Sequence, residues 1–160
     1  MSRISIEHVR QTVGKPFDEF RATFEGQLGH FDPSAYEGFV EDGDSQAVRA
    51  RLESMAGPSG FMLFRTSDHG AVLRLVGKPR KALQYLLGNP LIAVEMTQHA
   101  IGAALYAPLR VLIYEDESGG TCVEYDLPSS LFGQFGDDRV NRVADSLDRK
   151  LEALIATATQ

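Results

Sequence analysis

Met96 and His99 stand three residues apart in the stretch Glu95-Met96-Thr97-Gln98-His99. On a helix that spacing turns both side chains to one face. A thioether and an imidazole in one space can ligate haem iron or copper, and His69 offers a further imidazole. The bland alternative is that Met96 fills core space and His99 ends a helix, where a positive ring is favoured. Asp68-His69 is a second candidate, as an acid–base or ligand pair. Adjacent residues in an extended chain face opposite ways, however, and Ser67-Asp68-His69-Gly70 is also ordinary turn composition.

Gly88-Asn89-Pro90 is a third candidate. The N–H groups of a helix start can hold an anion or a carbonyl, and Gly88 would let a ligand approach the backbone. The same residues also explain a plain strand-to-helix turn, with Asn89 as cap and Pro90 as first helical residue. Tyr106, Tyr114, Tyr125 and Asp126 could line a pocket with hydroxyls and one carboxylate. Tyr125 and Asp126 face opposite sides of a strand, so only one enters any given pocket. Cys122 lies inside a strand without a neighbouring base and reads as structural. There is no serine nucleophile motif, phosphate-cradling glycine loop or zinc-spaced Cys/His cluster. Catalysis with His69 or Asp126 as general base ranks last, because no nucleophile, base and orienting group can be assembled.

The elements that must position these residues follow from periodicity. Ile4 to Gln11 alternates as a first strand. Phe17, Phe20, Phe24 and Leu28 give one helical stripe, opened by Pro16 and closed by Gly29. Residues 30–43 read as an ordered loop or a short helix. Asp44-Ser45 can cap a helix with Val48, Leu52 and Met55 on its buried face. Phe61 to Phe64 and Val72 to Val76 read as a hairpin turned at Ser67 to Gly70, with Lys81 to Leu87 as the next strand. A helix runs from Pro90 to about His99. Leu109 to Tyr114 and Thr121 to Leu127 form another hairpin. The stripe Val140, Val143, Ala144, Leu147, Leu151, Leu154, Ile155 makes a long last helix, capped by Asp137 or Asp138. The sum is an α+β fold, an antiparallel sheet with helices on one face.

The 160 residues suit one domain, residues 1–160, able to bury a core without staples. Hydrophobic content is 43%, charged content 24% and net charge -6. That balance argues against nucleic acid and anionic membrane as partners, which need clustered Lys and Arg. A single cysteine forms no internal disulfide, and neither a signal-like nor a membrane-spanning apolar run is visible. The expected location is the cytoplasm.

Asp68-His69, Leu87-Gly88-Asn89-Pro90, Met96, Leu105-Tyr106-Ala107-Pro108-Leu109 and Tyr125-Asp126-Leu127-Pro128 together resemble the DUF302 family, small bacterial and archaeal domains of unknown function. The resemblance implies a TATA-binding-protein-like β-α-β4-α outline, often as a dimer, with no established activity or cofactor. Residues 30–57 then read as a helical insertion. The functional expectation is a non-enzymatic, homodimeric module for a small, mainly apolar ligand. Its ligand-binding residues are sought among Asp68, His69, Gly88, Asn89, Met96, His99, Tyr106, Tyr125 and Asp126. The alternatives are a haem or metal protein using Met96, His99 or His69, and a protein-interaction module.

Overall fold

The structure, a computed structural model, describes residues 3–37, 39 and 45–160. Chain order is β1 (His8–Val13), α1 (Phe17–Gly26), β2 (Gly29–His30), α2 (Ser45–Met55), β3 (Met62–Asp68), α3 (His69–Leu73), β4 (Ala82–Gly88), α4 (Pro90–Thr97), β5 (Leu109–Glu115), β6 (Thr121–Asp126), α5 (Pro128–Phe132) and α6 (Asp138–Thr159). Short 3-10 turns occupy Pro33–Tyr36, Arg74–Val76, Ile101–Tyr106 and Gly133–Phe135. The fold is α+β. The six strands form one open sheet in the order β1-β6-β5-β4-β3-β2. Every pairing is antiparallel except the two-residue β2 against β3.

The strand register sorts the core. Val9, Val13, Tyr125, Val123, Val111, Ile113, Tyr85 and Leu87 share one face with α1 and α6 over it. Phe20 and Phe24 of α1 are completely buried there, and Phe24 meets Tyr85 edge-on at 5.2 Å between ring centroids. Each such ring contributes about 1.5–3 kcal/mol by leaving water. From α6, Val140, Ala144, Leu147, Leu151, Leu154 and Ile155 complete the cluster. The opposite face carries His8, Arg10, Glu124, Asp126, Arg110 and Tyr114. A second, smaller cluster joins Ala35, Val48 and Leu52 to Phe31, Met55 and Leu91. It fastens α2 to the start of α4. The expected cap residue Asp44 lies outside the described residues.

One expected hairpin is not formed. Val72 to Val76 is helical, not a strand, and β3 pairs directly with β4. The side chain of Asp68 accepts the Ala71 N–H at 2.9 Å and caps α3. Gly70 also lies so close to the Arg80 carbonyl that a Cβ would stand 2.1 Å from it. Val72, Leu75 and Val76 are left 61%, 85% and 68% exposed, so their apolar run is not a buried strand. Two boundaries also shift. The first strand starts at His8, and α4 ends at Thr97 rather than near His99. Among the described residues no helix is long and apolar enough to cross a membrane.

Candidate functional site

β4 ends at Gly88 and the chain turns at once into α4. Asn89 organises this turn. Its Oδ1 accepts the Leu91 N–H at 2.9 Å, and its Nδ2 donates to the Gly60 carbonyl at 2.9 Å. The N–H groups of Ile92 and Ala93 are taken by the Asn89 carbonyl, and Pro90 has none to offer. The helix start therefore presents no open donor to an anion. Gly88 lines the space beside this turn, and a Cβ on it would meet Pro108 and Phe64 at ordinary contact distance, 3.7–3.8 Å.

A crevice of about 260 Å³ opens beside this turn. Its floor is Met96 and Leu147, and its walls include Phe64, Ala93, Pro108 and Phe132. Phe64 reaches it through a register shift between Leu63 and Arg65, which takes one residue out of the β3–β4 ladder. Phe64 stacks on Phe31 at 4.4 Å, and Phe31 in turn tilts against Tyr36 at 5.7 Å. The Ala107–Pro108 peptide bond on the rim is cis. Among the described residues, the polar side chains on the lining are those of Tyr36, Asn89 and Thr97, with no carboxylate or ammonium. Burial raises the Tyr36 phenol above its ordinary pKa, which keeps it a neutral hydroxyl. Such a lining selects for shape and apolar surface, with one or two hydroxyls to orient what enters.

The nine residues singled out from sequence do not converge. Gly88, Asn89 and Met96 line the crevice. Tyr106 stands behind it, edge-on to Phe132 at 6.1 Å. Met96 and His99 do not share a space. Helix α4 stops between them, leaving Met96 in the core and His99 exposed in a different groove, with Arg139 and Arg142. Asp68 caps α3, and His69 is exposed at its first position. Tyr125 is buried under α6, and burial first, then Glu152 and Asp148, raises its pKa. Among the described residues no group of three or more His, Cys, Asp or Glu is arranged to hold a metal ion.

Asp126 belongs to a network on the opposite sheet face. His8 spans it, with Nδ1 2.9 Å from Asp126 and Nε2 3.1 Å from Glu124. The Tyr114 hydroxyl donates to Glu124 at 2.5 Å, and Arg10 Nε lies 3.2 Å from the same carboxylate. Tyr114 is pushed up to about 12, by burial first and then by this bond. Glu124 is held below the usual carboxylate range, chiefly by the Tyr114 bond. These groups satisfy one another across three strands.

Sequence reasoning missed Tyr36, Phe64, Phe132 and Leu147. Phe132 carried a readable signal, because Pro128 marks a helix start and Phe132 follows one turn later. Phe64 carried none, since a register shift is not written in composition.

A family model described as a domain of unknown function, DUF302, matches residues 40–158. The chain belongs to the DUF302 family. The matched span holds every crevice residue except Tyr36, and it includes residues 40–57 of the segment expected as an insertion. Among solved structures, an uncharacterised conserved DUF302 protein from Bacillus stearothermophilus superposes with a TM-score of 0.66. The superposition covers 94% of this chain and 97% of that one at 14% identity, so it shows a shared fold. No curated protein matches.

Proposed function

We propose that this DUF302 protein is a non-enzymatic binding module that takes a small, mainly apolar molecule into the crevice beside Gly88, Asn89 and Met96. The observation that carries this reading is the crevice itself. A preformed space of about 260 Å³, walled by Phe64, Pro108 and Phe132, leaves apolar surface wet at the meeting point of three strands and three helices. Filling it with an apolar ligand regains contacts and releases water. Catalysis has no support among the described lining residues, where no nucleophile stands beside a base. The acid–base groups His8, Glu124 and Asp126 lie on the other sheet face and are already paired.

The protein works as a homodimer in this reading. Ile101 and Leu105, on one 3-10 turn next to the crevice rim, are 79% and 81% exposed. A second copy is a partner that would cover them. Light scattering on the wild type and on Leu105→Asp tests this, with a dimer expected to become a monomer.

Native mass spectrometry of freshly purified protein tests the ligand. A mass adduct that disappears in Ala93→Phe, whose ring fills the crevice, is the expected result. An adduct that persists in that variant places the ligand elsewhere. A clean apo mass, joined to no thermal shift with any short aliphatic alcohol, ends the reading.

A further inference from the structure

We infer that the ligand is amphipathic, with an apolar body in the crevice and an anionic head held by Arg142 and Lys150 in the adjoining groove between α4 and α6. This rests on the crevice reading above and names its ligand class. Ile92 borders both the crevice and the groove. The groove is also lined by Arg139, Arg142, Lys150, His99 and one carboxylate, Glu95.

Three features make the groove the place for a negative head. Among the described residues the crevice has no cation on its lining, and the start of α4 is plugged by Asn89, so a negative charge finds no partner from them inside. Burying it there unpaired would oppose binding. Next, the groove cations differ in availability. Arg139 is committed to Asp137, with contacts of 2.6 Å and 3.0 Å. Arg142 and Lys150 make no ion pair within 4.0 Å with any described carboxylate. Last, Lys150, on the groove, reaches toward the loop that holds Asn89. Its Nζ would lie 3.1 Å from a Cβ on Gly60, and Gly60 is the residue whose carbonyl holds Asn89. Both cations line the groove that shares Ile92 with the crevice, so a negative head there would meet positive charge.

The test is calorimetric titration of the full chain with octanoate and with 1-octanol, which share a chain and differ in the head. The wild type should prefer octanoate roughly tenfold, the scale of two partly exposed charge-assisted contacts, and the preference should shrink in high salt. Arg142→Ala/Lys150→Ala should lose the preference while keeping its affinity for octanol. Equal affinities in the wild type, or a preference that survives the double variant, overturn the anionic head and leave the crevice reading standing. No binding of either probe overturns both. If the double variant binds neither, the charge-keeping Arg142→Lys/Lys150→Arg variant decides: a retained preference supports the inference and a lost one overturns it.

Discussion

Asn89 donates its side-chain amide to the Gly60 carbonyl at 2.9 Å, sewing the start of α4 to the loop that enters β3. The two residues are 29 positions apart, and Asn89 also lines the crevice. Asn89 serves this bond and the Leu91 cap at once, so its two ends are not interchangeable. Asn89→Ala should cost about 1–2 kcal/mol in urea unfolding through loss of the cap. Asn89→Asp keeps the acceptor for Leu91 but turns a carboxylate oxygen toward the Gly60 carbonyl, and it too should lose about 1 kcal/mol. An Asp variant as stable as the wild type would show that the Gly60 bond carries no weight.

Gly57 and Gly29 should resist any side chain. A Cβ on Gly57 would stand 2.3 Å from the Gly29 nitrogen, and one on Gly29 would stand 1.7 Å from the Met55 carbonyl oxygen. Two backbones meet there, so nothing flexible can give way. Gly57→Ala should destabilise by at least about 1–3 kcal/mol, as overpacking does. By contrast, Gly88→Ala meets neighbours only at ordinary contact distance and should fold normally. Parallel melting curves of the two variants check the contrast.

His8 should make the docking of β1 depend on pH. Hydrogen bonds to Asp126 and then Glu124 raise its pKa above the ordinary histidine value. A folded-state pKa above the unfolded one means that the stabilisation is fully present below about 6.5 and fades as pH rises through the folded value. Solvent screens this site, where half of the His8 side chain is exposed, so the effect is modest. Arg10, Arg110 and Tyr114 also face the cluster and temper it. Amide exchange in β1 should quicken between pH 6 and pH 9 in the wild type, beyond the intrinsic rate. His8→Gln should flatten that difference.

The long elements were readable because their periodicity is strong. Val140 to Ile155 keeps one stripe over four turns, and α6 matches it. The run Val72 to Val76 misled because five residues of Val, Leu and Arg fit a strand as well as a helix. The deciding contact, Gly70 against the Arg80 carbonyl, lies ten residues away. At the site, the turn Gly88-Asn89-Pro90 was legible as a cap and is one. The pairing of Met96 with His99 failed because it presumed a helix running on to His99, two residues past the end of α4. Phe64 and Phe132 of the walls and Leu147 of the floor come from three separate elements, and no local pattern announces that they meet.

Met96 offers the most direct test of the central claim. It is 1% exposed and lines the crevice, whereas Met62 is equally buried and does not. With methionine methyl groups labelled with carbon-13, 1-octanol is titrated into the protein and the methyl spectrum followed. The account predicts a saturable shift of the Met96 signal with Met62 unmoved, and no Met96 shift in Ala93→Phe. A Met96 signal that stays fixed while octanol binds, or one that moves together with Met62, would contradict it.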